Sequence, residues 1–190
     1  MCPVGTYYVG NSCELCAIGD YNDMEGQTEC TGCPDDGLTA ATGSTSADDC
    51  NSCPTGYTFV DQSCYRAASA TKSKLTMAKA VTACASDGGW LATFEDDGQY
   101  WEFRETAIEE GWFVNGDLFW VGATKSGLNY VYQYGSNTGD AVDSDLWAVA
   151  EPNRKQSCVQ GGYKSKFKLG TVSCGLRKIA ICQTYNSLGY

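Results

Sequence analysis

The sequence predicts two modules of different build: a cysteine-stapled segment without a conventional core, then a module that mixes helices with short strands. Three observations predict it. Twelve cysteines occur in 190 residues with no histidine, 43% of the residues are apolar, and the texture of the chain changes after Cys64. Apolar content of that order suits a folded, globular chain. Without histidine there are no Cys/His zinc sites, and the wide spread of the cysteines predicts six disulfides formed in an oxidising compartment, secreted or on a cell surface. A four-cysteine zinc site is the competing reading, and it needs two close Cys-x-x-Cys knuckles feeding one centre. The chain opens on Met1-Cys2-Pro3 rather than on the basic and apolar stretches of a secretory signal.

The first third is a repeat in its cysteine spacing. "CPVGTYYVGNSC", "CAIGDYNDMEGQTEC", "CPDDGLTAATGSTSADDC" and "CPTGYTFVDQSC" follow one another with two residues between each pair. The simplest pairing is local: Cys2–Cys13, Cys16–Cys30, Cys33–Cys50 and Cys53–Cys64, with an interlaced pattern among the first six left open. A segment of this size with so few large aliphatics cannot be stabilised by burial alone. Each bridged loop contributes roughly 2–4 kcal/mol through the unfolded state instead.

Charge divides unevenly. Residues 1–65 hold ten acidic side chains and no Lys or Arg, whereas residues 66–190 hold thirteen of each sign, for a net charge of −10. An acidic chain lacks the footprint that nucleic acid or anionic membrane requires, so neither is an expected partner. No apolar run approaches a membrane span, the longest being "LFWVGA" at 118–123. An enzyme is not expected. With no histidine and every cysteine open to bridging, the common nucleophile–base pairs are missing, and the adjacent carboxylates Asp96-Asp97 and Glu109-Glu110 point apart.

Beyond Cys64 the periodicity is helical. Thr76 can cap a helix carrying Met77, Ala80, Val81 and Cys84 on one face and stopping at Gly88-Gly89. "WLATF" reads as a strand, "DDGQYWEFRETAIEEG" as a second helix that starts on acids, and "LFWVGATK" as a buried strand. From Asn129 to Pro152 the pattern dissolves into small and polar residues, as in a long loop carrying a binding surface. Short strands return in "SCVQGGYK", "LGTVSC" and "IAICQ".

Two resemblances follow from these residues. The phrase "CPVGTY" at Cys2–Tyr7 and the repeated cysteine loops of residues 1–52 resemble the ephrin-receptor-like and tumour necrosis factor receptor-like cysteine-rich modules, which implies a stalk or spacer. Residues 53–190 resemble the C-type lectin-like domain in its long form. The resemblance is carried by "CPTGYTFVDQSCYR", Cys84, "GGWLAT", "FWVGAT", Trp147, Glu151-Pro152-Asn153, Cys158, Cys174 and Cys182. It implies an α+β fold with two helices, two small antiparallel sheets and a long loop region. It also implies the pairs Cys84–Cys182 and Cys158–Cys174, leaves Cys53 for Cys64, and places Trp120 and Trp147 in the core.

In sugar-binding members of that family a calcium ion is held by the Glu and Asn of Glu-Pro-Asn, a second Glu before the next cysteine, and an Asn-Asp pair near the third. The resemblance therefore makes Glu151 and Asn153 the candidate metal ligands, with Pro152 cis. The other positions depart: Gln156 stands for the second Glu, and Leu169, Gly170 and Thr171 stand for Trp-Asn-Asp. Calcium affinity follows ligand charge, and one carboxylate remains beside Arg154 and Lys155. The ion's partners are expected to be lost and the loop to serve another ligand.

Seven of the thirteen cations, Arg154, Lys155, Lys164, Lys166, Lys168, Arg177 and Lys178, fall within residues 154–178. Alternation in "YKSKFKLG" puts Lys164, Lys166 and Lys168 on one side of a strand, where they either guard an edge or form a positive patch. The expected partner is a glycan or an extracellular protein, bound through Glu151, Asn153, Arg154, Lys155, Gln156 and these lysines. The alternative expectation is self-association, with acidic stalk meeting basic head in a filament or matrix.

Overall fold

The computed structural model describes the chain except residues 35, 36, 40, 51, 52, 62, 70–72, 115, 164–166 and 186–190. Two compact units are present, one built on Met1–Gln62 and one on Ser63–Tyr185.

In the first unit β1 (Thr6–Val9) and β2 (Ser12–Leu15) form an antiparallel hairpin, and β3 (Asp20–Tyr21) pairs with β4 (Thr31–Gly32). Cys2–Cys13, Cys16–Cys30 and Cys33–Cys50 are bonded locally, which excludes the interlaced alternative. Every buried apolar side chain described in residues 1–50 is a cysteine. Disulfides here take the place of a core. Asn22 adds a polar tie: its buried amide donates to Thr6 O at 2.7 Å and its backbone carbonyl accepts from Gly5 N–H at 2.8 Å. Gly5 must be glycine, because its φ is 76° and a Cβ would come 2.3 Å from Gly43 O. β5 (Thr58–Val60) lies further along.

The second unit contains β6 (Ser63–Ala67), α1 (Met77–Ala85), β7 (Trp90–Leu91), α2 (Asp97–Glu109), β8 (Phe119–Ser126), β9 (Asn129–Tyr132), β10 (Cys158–Tyr163), β11 (Lys168–Val172) and β12 (Ile179–Thr184). β12 pairs antiparallel with β6 and β7; β8 pairs antiparallel with β9 and β10, and β10 with β11. The two small sheets expected from the sequence are joined by a parallel pair in which Ile179 and Ala180 meet Phe119 and Trp120.

Helix α1 buries Met77, Ala80 and Cys84, and Cys84 is bonded to Cys182 of β12. Thr76 occupies the N-cap position, but its hydroxyl makes no capping bond, contrary to the expectation from sequence. Asp96 does cap α2, accepting from Gln99 N–H at 2.9 Å. Cys158 is bonded to Cys174. No cysteine is free, Cys53 and Cys64 each being disulfide-bonded as well.

The core is aromatic. Phe94, Tyr100, Phe103, Phe113, Phe119 and Phe167 pack with ring centres 4.7–6.4 Å apart. Burying each phenyl ring contributes about 1.5–3 kcal/mol, and the tilted contacts add to it. Trp120 is fully buried and donates from Nε1 to Leu75 O at 2.7 Å, whereas Trp147 is half-buried. Gly122 lets β8 approach Leu91, whose carbonyl oxygen would be 2.5 Å from a Cβ.

Two further expectations are corrected. Only Trp90–Leu91 of "WLATF" is a strand; Thr93 is instead held by the side chain of Gln183, which accepts from its N–H and its hydroxyl at 2.8 and 2.9 Å. The expected loop at 129–152 begins as β9, because Tyr130 and Tyr132 alternate inward under the polar appearance of the segment. It also holds a short 3-10 turn at Ser144–Leu146, capped by Asp143. No helix among the described residues is long and apolar enough to cross a membrane.

Burial raises the phenol pKa of Tyr100, Tyr130 and Tyr132 above its ordinary value near 10. An acid raised in the folded state ionises first in the unfolded chain. Stability therefore stays level up to about pH 10 and falls above it. Urea unfolding at rising pH, with phenolate absorbance followed in parallel, should show that fall before these three tyrosines titrate in the folded protein.

Candidate functional site

The loop between the 3-10 turn and β10 carries the Glu-Pro-Asn. Its Glu151–Pro152 bond is cis, as the resemblance implied, and Ala150 before it has φ 68°. The two candidate metal ligands are turned onto the protein. Glu151 Oε2 accepts from Asn153 N–H at 2.8 Å, from Thr171 N–H at 3.1 Å and from the Thr171 hydroxyl at 2.5 Å. Asn153 Oδ1 accepts from Lys155 N–H at 3.1 Å.

Thr171 is the pivot. It lies in β11, 7% exposed, opposite Val159 of β10. Its hydroxyl donates to Glu151 while its oxygen accepts from Asn153 N–H at 2.8 Å, two roles that a carboxylate could not combine. Leu169 is fully buried and its carbonyl accepts from Ala148 N–H at 2.9 Å; Gly170 pairs with Gln160. Neither position offers a side-chain oxygen.

The loop carbonyls are also occupied. Tyr130 of β9, edge-on to Trp147, reaches Gln156 O at 2.6 Å and Asn153 O at 3.1 Å, and Gln156 N–H donates to Asn153 O at 3.0 Å. Lys125 of β8 donates its ammonium to Arg154 O. Arg154 and Lys155 themselves are exposed at the loop tip. Tyr130 and Lys125 are neighbours of the loop that sequence reasoning missed; the alternation in "NYVY" was the only signal for Tyr130, and Lys125 had none.

Calcium takes six to eight oxygens and favours several carboxylates. The residues present do not fit it. One carboxylate stands at the site, its Oε2 holds three hydrogen bonds, and the position opposite supplies a donor. Among the described residues no group of three or more His, Cys, Asp or Glu side chains could hold a metal ion.

Of the cations counted along the sequence, the described ones beyond Arg154 and Lys155 take separate places. Lys168 pairs with Asp97 of α2 and donates to Asp145 O at 2.9 Å. Lys178 is 5% exposed with its ammonium 5.6 Å from the centre of the Trp120 ring, where burial, and then the charge of Lys74, lowers its pKa. Arg177 is exposed. Lys164 and Lys166 lie outside the described residues.

Several known proteins are similar to parts of this chain. The profile of the tyrosine-protein kinase ephrin type A/B receptor-like module matches residues 5–50. Among solved structures, human lithostathine aligns with a TM-score of 0.58 and 20% identity, over 71% of this chain and 92% of its own. A calcium-independent type II antifreeze protein aligns at 0.54 and 18%, over 72% and 96%. The C-type lectin domain of murine dendritic cell inhibitory receptor 2, in complex with N-glycan, aligns at 0.54 and 16%, over 70% and 99%. At these identities the likeness establishes the fold. No curated protein matches the sequence. The profile of the lectin C-type domain matches residues 73–184, more than half of the chain, and the chain therefore belongs to the C-type lectin domain family.

Proposed function

We propose that this is a non-catalytic extracellular recognition protein whose lectin-like head takes an anionic glycan without calcium, carried on the cysteine-rich module of residues 1–52 as a spacer. The observation that supports it most is the Glu151–Thr171–Asn153 hydrogen-bond set, which holds the cis-proline loop by protein groups alone. With its carbonyls braced from Lys125 and Tyr130, the loop presents Arg154 and Lys155 to solvent as neighbouring cations on a held backbone. An anion is the ligand that such a pair favours. Twelve bridged cysteines support an oxidising, extracellular setting. The similar structures include a lectin domain with N-glycan and a calcium-independent antifreeze protein, so the fold accommodates both a sugar ligand and the loss of the ion.

Self-association of acidic stalk with basic head is the second reading, and the division of charge between residues 1–65 and 66–190 motivates it. Lys168 and Lys178 are already engaged within the fold, which weakens it. A protein that sediments as a monomer at low salt, where screening is weakest, would remove it.

Two measurements test the leading reading. Millimolar calcium should leave the melting temperature unchanged to within about 1 °C; an ion bound at a hundred times its Kd would add about 2.7 kcal/mol. Retention on a sulfated glycan column in chelator should fall about tenfold when Arg154 and Lys155 are both replaced by alanine. Retention that appears only with calcium would sink the proposal, and retention only by acidic proteins would transfer the loop to that class of partner.

A further inference from the structure

Helix α2 carries a second candidate surface. Of five tryptophans, Trp101 alone stands out in solvent at 56% exposure, whereas Trp112 and Trp120 are buried and Trp90 and Trp147 half-buried. It occupies the solvent stripe of α2 with Asp97, Gly98, Glu102, Glu105 and Glu109, where the helical period places polar side chains.

The ring is held. The Arg104 guanidinium carbon lies 4.9 Å from the centre of the Trp101 ring and 5.1 Å from that of Phe167. Phe167 is itself buried, stacked on Tyr100 and Phe113 at 5.6 and 5.4 Å. It keeps a φ of 53°, a conformation rare for a bulky side chain and tolerated where packing over-determines it. A continuous stack thus runs from the aromatic core through a cation to an exposed indole.

Space and polar groups surround that indole. Asp97 and Glu105 stand four residues before and after Trp101, the spacing at which helical side chains become neighbours. Gly98 adds no side chain to the same exposed stripe, and a Cβ there would have only Asp96 Oδ1 within 4 Å, at 3.2 Å. Asp97 and Glu105, 56% and 50% exposed, border the stripe and are paired with Lys168 and Arg104. Aromatic face, carboxylate acceptors and cationic donors are the set that recognises a pyranose: its C–H face stacks on the ring while its hydroxyls bond to the polar rim. Four carboxylates on the stripe against two cations disfavour a sulfated or carboxylated sugar.

We propose that Trp101, backed by Arg104, is a calcium-free stacking site for a neutral pyranose, built from none of the loop residues Glu151–Gln156. The test uses the full chain in chelator and neutral trisaccharides of mannose, N-acetylglucosamine, glucose and galactose, each at about 10 mM, read by saturation-transfer NMR. Transfer should reach the ring C–H protons of at least one sugar, fall about tenfold or more in Trp101→Ala, persist in part in Trp101→Phe, and survive replacement of Arg154 and Lys155. That last arm separates this site from the loop. Melting of Trp101→Ala should stay within about 2 °C of the parent, as for an exposed position. Absence of transfer from every sugar, or transfer unchanged in Trp101→Ala, would overturn the proposal. So would a tryptophan fluorescence change that oligolysine produces, sugars do not, and Trp101→Ala abolishes, which would give the face to a cationic partner.

Discussion

Replacing Cys84 and Cys182 together by alanine should lower the unfolding free energy of the lectin-like unit by about 4–5 kcal/mol. Their bond closes 98 residues of chain and ties α1 to β12, both sulfur-bearing side chains being fully buried. Its contribution comes chiefly from restricting the unfolded chain, and that restriction grows with the logarithm of loop length. The Cys158–Cys174 bond closes only 16 residues, so the matching double replacement should cost about 3 kcal/mol. For a domain stable by about 5–15 kcal/mol the first loss threatens folding itself. Parallel urea titrations of the two double variants decide the point, and equal losses would show that loop length does not set the ranking.

The second large effect is expected at Thr171. Substitution by Asp should cost roughly 2–4 kcal/mol, because it removes the donor to Glu151 and places a second carboxylate at hydrogen-bond distance. Substitution by Val removes the hydroxyl without adding charge, leaves Asn153 N–H with Glu151 as its partner, and should cost about 1–3 kcal/mol. Calcium separates the two variants. Only Thr171→Asp adds an oxygen ligand and a negative charge, so only that variant should gain melting temperature with millimolar calcium. A wild-type gain of the same size would show that Thr171 is not what excludes the ion.

Structure is legible in the sequence where residues act on near neighbours. Cysteines separated by 11, 14 and 17 residues pair locally, since short loops close at little entropic cost. Met77, Ala80, Val81 and Cys84 marked one helical face, of which all but the half-buried Val81 are buried, and the acids at Asp96-Asp97 marked the start of α2, because both signals act within one or two helical turns. β9 has the look of a loop in the sequence because Asn129 and Gln133 flank its two inward tyrosines and hide a four-residue alternation. Thr76 shows the converse: the right residue at the right position, with no bond made.

By itself the sequence determined the spacing of the cysteine loops, the two helices, and which residue types stand at the positions that the resemblance makes the family's calcium ligands. Those follow from covalent spacing, short-range periodicity and side-chain chemistry. Only the tertiary structure decided where the oxygens and cations go. Thr171 meets Glu151 from 20 residues away, Tyr130 meets the Gln156 carbonyl from 26, and Lys168 meets Asp97 from 71. Each is a choice among many possible partners, made when β9, β11 and α2 pack. Polar groups leaving water must find partners, and which ones they find depends on strand register and helix placement rather than on distance along the chain.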